Sequence, residues 1–254
     1  MEEKKMKLKL LVVFILLSNL LLAEKITVAL AANVSYAIDD LKKEFNKLYP
    51  DIKIQIILGG TGSLTTKIKH KAPYDILMGA NMMYPESLYK DGFAVTRPMV
   101  YAQGSLAYLS VKKQDFSKGI NLVKEAKIKR IAIANPKTAP YGKAAFEALR
   151  NAKLLDEVKN KFVYGESISQ TVTYATQATD LGFIAKSALF SPKMKQFKKE
   201  INWHEVDSKL YTPINQGIVI LKHGEKSQAV ASFYAFIFSK RAEAIFEKFG
   251  YLIP

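Results

Sequence analysis

Apolar residues along this chain fall into short runs that alternate between two periods. Residues 26–31 form a nearly unbroken apolar run of strand length. Ile38, Leu41, Phe45 and Leu48 then recur near helical spacing, and Tyr49-Pro50 closes that helix because the residue before proline avoids the helical region. Ile52, Ile54 and Ile56 alternate as a strand does. A glycine-rich turn at 59–62 leads into a helix over 63–70, a third strand over 76–78 and a short helix near 85–89. A second series predicts strands at 105–111, 130–134 and 181–185, with helices at 142–151 and 169–179. A strand at 216–221 and helices at 228–238 and 241–249 complete the chain. Strand–helix alternation of this kind implies an α/β protein whose sheets are mainly parallel and flanked by helices. No internal repeat or low-complexity linker interrupts it, so two α/β lobes joined by strand crossovers are expected.

The first residues follow a different pattern. Lys4, Lys5, Lys7 and Lys9 precede an apolar stretch over 10–17, which Ser18 and Asn19 interrupt before it resumes over 20–23. A basic start, a short apolar run and a small residue before a polar one make a secretory signal peptide, with cleavage expected after Ala23. The run is too short and too interrupted for a membrane span. No cysteine follows, so no lipid anchor is expected. The mature protein should be soluble outside the inner membrane, in the periplasm.

Composition narrows the chemistry. The 254 residues contain no cysteine, and His70, His204 and His223 are scattered, so neither a thiolate nor a His-rich metal site is expected. The formal charge is +15, but the lysines are spread along the whole chain. That describes a solvated basic surface with a mild pull on anions, and no nucleic-acid recognition motif accompanies it. Enzyme signatures are missing as well: there is no G-x-S-x-G elbow, H-E-x-x-H pair or dinucleotide fingerprint. Asp75 and Asp180 are isolated carboxylates of structural type.

Two successive strand-to-helix turns carry small polar residues, one around Ala31-Ala32-Asn33-Val34-Ser35 and one around Gly59-Gly60-Thr61-Gly62-Ser63. Ligands of open α/β sheets bind beyond the carboxyl ends of the strands. Helix starts there leave backbone N–H groups unpaired and carry partial positive charge. Two such turns side by side would cradle an anion. The plainer reading makes Asn33 and Thr61 ordinary helix caps. A third turn, Ala139-Pro140-Tyr141-Gly142-Lys143, has the Gly-Lys pair of a phosphate loop. Lys137 stands where that loop needs glycine, and Ala144 where it needs Ser or Thr, so nucleotide binding is rejected. Gly165-Glu166-Ser167-Ile168-Ser169 is a fourth turn of the same type.

Taken in order, these segments resemble the periplasmic molybdate-binding proteins of the type II solute-binding fold. The resemblance spans the mature chain. It is carried by residues 26–33, by 60–68, by Ala72-Pro73-Tyr74-Asp75-Ile76, by Asn135-Pro136 with Ala139-Pro140-Tyr141-Gly142, by Leu181-Gly182-Phe183-Ile184-Ala185, and by the ending Phe249-Gly250-Tyr251-Leu252-Ile253-Pro254. It implies a two-lobed architecture, residues 24–106 with 213–254 forming one lobe and 107–212 the other, and a dianion held in the cleft. The family uses neutral donors, with no charged side chain, cofactor or metal contacting the ion. Carried over by position, the ligand set is Asn33 and Thr61 from the first lobe and Tyr141 and Ile168 from the second, Ile168 through its backbone N–H. Asn33 replaces a serine of many relatives. Ala185 stands where some members place a ligand tyrosine, and Tyr141 would supply that hydroxyl. The implied ligand is molybdate or tungstate and the implied partner is the membrane permease of an ABC importer, with the protein a monomer, not an enzyme, and without nucleic acid. A receptor for another oxyanion such as sulfate is the alternative.

Overall fold

The computed structural model describes residues 24–254; the expected signal peptide lies outside them. In chain order the elements are β1 (Lys25–Ala31), α1 (Ile38–Leu48), β2 (Lys53–Gly59), α2 (Thr61–Lys69), β3 (Ile76–Met78), α3 (Met83–Lys90), β4 (Met99–Gly104), β5 (Leu106–Leu109), β6 (Ile131–Ala134), α4 (Pro140–Asn151), α5 (Leu155–Val158), β7 (Phe162–Gly165), α6 (Ile168–Gln177), β8 (Leu181–Ala185), β9 (Trp203–Glu205), β10 (Ile214–Ile220), α7 (Gln228–Ile237) and α8 (Lys240–Lys248). Short 3-10 turns link several of them, including Ala32–Tyr36 directly after β1. No helix of the described residues is long and apolar enough to cross a membrane.

Two five-stranded sheets form, in the orders β2-β1-β3-β10-β4 and β7-β6-β8-β5-β9. Each sheet is mixed, which departs from the expectation of mainly parallel sheets. In the first, β1 runs parallel to β2 and β3, while β10 is antiparallel to β3 and β4. In the second, β6 runs parallel to β7 and β8, while β5 is antiparallel to β8 and β9. The chain changes sheet twice, and the strands next to each crossing are the antiparallel ones. Ser105 alone separates β4 from β5, so the backbone runs straight from one lobe to the other. It returns between β9 and β10. Tyr211, on the return path, is buried and accepts the Leu106 N–H at 3.1 Å, which ties the two crossings together.

The alternation in the strands explains the layers. Ile26, Val28 and Leu30 of β1 pack with α1, α7 and α8, while Ala29 faces the side of α2 and α3. In β10, Ile218 and Ile220 join the first core and Val219 joins the second. Ile131 and Ile133 of β6 pack beside α4, and Ala132 faces α6. Period-2 alternation with both faces apolar is what a sheet buried between helices requires. The core around α4 also takes in Ala31, Ala32 and Ala80 from the first lobe, so apolar packing continues across the cleft.

Candidate functional site

The carboxyl ends of β1, β2 and β3 in the first lobe face those of β6 and β7 in the second. Between them lies a small cavity lined by Ala31, Ala32, Asn33, Gly59, Gly60, Thr61 and Ala80 on one side, and Ala139, Pro140, Tyr141 and Ile168 on the other. About 10 Å³ of it is open to the centre of a water-sized sphere, on the order of one water. None of the lining residues is ionisable except Tyr141. The structure therefore brings Asn33, Thr61, Tyr141 and Ile168 to one hollow. Larger hollows of 280–470 Å³ elsewhere have charged residues on their walls.

Three helices start at this cavity. α2 begins at Thr61 after Gly60, and α4 begins at Pro140 after Ala139; neither has a side-chain cap. α7 and α8, far from the cleft, are both capped by serine: Ser227 accepts from the Val230 N–H and Ser239 from the Ala242 N–H. α6 is capped by Ser167, but that hydroxyl takes the Gln170 N–H and leaves the first one, on Ile168, uncommitted. The N–H groups of Thr61, Tyr141 and Ile168 lie in first turns, where no intrahelical carbonyl is within reach. Among the described residues none of them reaches a carbonyl elsewhere. Aligned peptide dipoles add partial positive charge at each of the three starts. Pro140 suits its position, since the first helical residue needs no N–H.

Neither Asn33 nor Thr61 acts as a helix cap. The Thr61 hydroxyl accepts the Ala80 N–H at 3.0 Å, which leaves its own proton for the cavity. The side-chain amide of Asn33 donates to Gln216 Oε1 at 2.7 Å and to Tyr251 Oη at 2.9 Å. Its Oδ1 is buried without a partner. Asn33 thus turns its side-chain donors away from the cavity, and its backbone N–H, in the turn after β1, is the donor it has left. Gln216, Tyr251 and Tyr101 form the layer behind it: Tyr251 Oη donates to the Asn33 carbonyl at 2.9 Å, and Tyr101 Oη to Gln216 Oε1 at 3.0 Å. Sequence reasoning missed this layer. The one local signal for it was a glutamine at the head of the apolar run that ends β10.

The two lobes also touch directly. Gly62 N–H donates to the Thr138 carbonyl at 3.0 Å and Tyr84 Oη to the Lys137 carbonyl at 3.2 Å. Ser169 Oγ donates to the Ala32 carbonyl at 2.9 Å and Ser187 Oγ to the Asn33 carbonyl at 3.0 Å. Gly62 suits this close approach: a Cβ on it would lie 3.1 Å from Thr138 Cα and 2.7 Å from Tyr84 Oη.

The match to known proteins adds to this geometry. A family model described as bacterial extracellular solute-binding protein matches residues 26–252. The chain belongs to that family. This solute-binding protein is 32% identical over 231 residues to the molybdate-binding protein ModA of Azotobacter vinelandii, covering 90% of each chain. It is 30% identical over 236 residues to the molybdate-binding protein ModA of Rhodobacter capsulatus, covering 91% of this chain and 89% of that one. The solved periplasmic molybdate-binding protein of Azotobacter vinelandii superimposes with a TM-score of 0.82 at 28% identity, over 90% of this chain and 99% of the other. The solute-binding protein is not an enzyme, and its family serves extracytoplasmic capture for import.

Burial raises the Tyr141 phenol well above its ordinary range, with the neighbouring Tyr251 and Tyr101 adding to the shift and the Gln216 hydrogen bond opposing it. The proton of Tyr141 therefore stays in place where a free tyrosine would lose it. Anion affinity is expected to stay level as pH is raised from neutrality to about 10, the midpoint of an unperturbed phenol. Calorimetric titrations across that range check this, and a fall centred on that midpoint would show an ordinary, solvated phenol at the site.

Proposed function

We propose that this protein captures molybdate or tungstate between its two lobes and delivers it to the membrane permease of an ABC importer. The observation that carries the reading is the set of first-turn N–H groups and hydroxyls from both lobes that line one small, uncharged cavity. A buried dianion is very costly unless densely hydrogen-bonded. Each hydrogen bond to a charged group contributes about 1.5–3 kcal/mol. The backbone N–H groups of Asn33, Thr61, Tyr141 and Ile168, with the hydroxyls of Thr61 and Tyr141, supply six donors. Preformed donors need no reorganisation when the ion arrives.

The lobes of this reading are residues 24–106 with 213–254, and 107–212. Half the donors stand on each, so an ion bound between them favours the closed state over the open one. The closed form would dock on the permease, and the signal peptide would place the mature protein in the periplasm. Selection against sulfate rests on cavity size, since both ions are tetrahedral dianions. Hydrogen phosphate carries a proton that needs an acceptor.

Titration of the mature protein with molybdate, tungstate and sulfate by isothermal calorimetry tests the reading. Tight binding of the metal oxyanions over sulfate is expected. No heat and no thermal stabilisation from either metal oxyanion would overturn it. Thr61→Ala should weaken binding about 10- to 100-fold, the cost of one lost charge-assisted hydrogen bond. Unchanged affinity in that variant would remove Thr61 from the ligand set.

A further inference from the structure

Gln216 does not line the cavity, yet it touches the side chains of two residues that do, Asn33 from one lobe and Tyr141 from the other. It is fully buried on β10. Its Oε1 accepts from Asn33 Nδ2 at 2.7 Å and from Tyr101 Oη at 3.0 Å. Its Nε2 donates to Tyr141 Oη at 3.3 Å. A phenol has one proton, and when its oxygen accepts a bond from behind, that proton is free to point forward. We propose that Gln216 is the positioning residue of the oxyanion site: by donating to Tyr141 it turns the phenol proton towards the cavity, and by accepting from Asn33 it holds the turn after β1 in place.

Gly104 supports this arrangement. A Cβ there would lie 2.0 Å from Tyr141 Oη and 2.7 Å from Gln216 Nε2, so the meeting of these two groups requires a residue without a side chain. Gly104 ends β4 beside the first crossing between the lobes, so the hydroxyl and its orienting amide meet next to that crossing. Buried polar groups are costly unless matched, which makes the direction of each proton in this layer interdependent.

The inference rests on the oxyanion reading. Its test is a double-mutant cycle in molybdate affinity. Gln216→Glu keeps the length and the acceptor for Asn33 and Tyr101 but replaces the donor to Tyr141 with a second acceptor, which draws the phenol proton inward. It also adds a negative charge, whose repulsion acts whether or not Tyr141 is present. Tyr141→Phe removes the proton altogether. Gln216→Glu is expected to cost about 10-fold more affinity with Tyr141 in place than in the Tyr141→Phe background, the difference being one charge-assisted hydrogen bond. A merely structural role for Gln216 gives the same fold-loss in both backgrounds and overturns the proposal. Where Gln216→Glu yields too little folded protein, Gln216→Met is read in the same cycle, with a smaller coupling of the same sign expected and additivity again decisive against. Absence of molybdate and tungstate binding by the wild type overturns the oxyanion reading and this inference together. Wild-type binding with additive losses overturns the inference alone.

Discussion

Gly142→Ala is expected to destabilise the protein by about 3 kcal/mol and to weaken oxyanion binding by about 100-fold. Helix propensity points the other way, because replacing glycine by alanine inside a helix is favourable by about 1 kcal/mol. The local geometry decides against it. Gly142 stands in the first turn of α4, pressed against the end of β6. A Cβ there would lie 2.1 Å from the Ala134 carbonyl oxygen and 2.7 Å from its carbon. Both atoms are backbone of a central strand of the second sheet, paired with β7 and β8, and cannot swing aside as a side chain could. The helix must back away by about 1 Å to restore ordinary contact distances. α4 carries Tyr141 and one of the three helix N-termini at the cavity, so the same shift pulls a hydroxyl and a backbone N–H off the cavity. Urea denaturation reads the first effect and calorimetric titration the second. A variant with wild-type midpoint and wild-type Kd would show that α4 can slide on β6 at no cost, and would remove the close approach from the account of the site.

This glycine also illustrates what the sequence could reveal. The turn Ala139-Pro140-Tyr141-Gly142 was visible as a helix start, and its failure to match a phosphate loop was visible too. The close approach that makes Gly142 necessary depends on a strand that ends eight residues earlier and on the packing of the whole lobe. The same division runs through the fold. β1, β3, β6, β8 and β10 are apolar on both faces and were legible as central strands. β4, β7 and β9 were not: Met99–Gly104 lacks alternation, while Phe162–Gly165 and Trp203–Glu205 are short and only partly buried edge strands. The sheets are mixed where the sequence suggested mainly parallel ones because β10 and β5, both visible as strands, enter antiparallel to β3 and β8, and the edge strands β4 and β9 pair antiparallel beside them.

At the site, the small polar turns at Asn33 and Thr61 were legible because glycine and short polar residues mark strand-to-helix junctions. The direction of the Asn33 amide was not. It is set by Gln216 and Tyr251, which are 183 and 218 residues away in the chain. No local pattern carries contacts of that range. Tyrosines invite reading as core or rim, and Tyr101, Tyr141 and Tyr251 are indeed buried; their hydroxyls, linked through Gln216 and Asn33, form a polar layer next to the cavity.

Thr61→Asp should abolish oxyanion binding, lowering affinity by more than about 1000-fold, while leaving the protein folded. The carboxylate would occupy the same cradle as the ligand. At 4 Å and an effective dielectric of about 20, each pair of unit charges repels by about 4 kcal/mol, and a dianion doubles this. Relaxation will reduce the penalty, yet 1000-fold requires only about 4 kcal/mol. Stability is protected by the features that make the site suit an anion. An acidic residue in the first turn of a helix is favourable by about 0.3–1 kcal/mol, and the Ala80 N–H that now donates to Thr61 Oγ1 finds a carboxylate oxygen in its place. The ligand-free variant should melt no lower than the wild type. Thr61→Asn, equal in shape but neutral, separates charge from fit, and its loss should be much the smaller of the two. Titration of both variants with molybdate, alongside their melting curves without ligand, gives the comparison. If Thr61→Asp still binds the dianion with wild-type affinity, the ion does not sit between these helix starts, and the converging N–H groups at this cavity must serve something else.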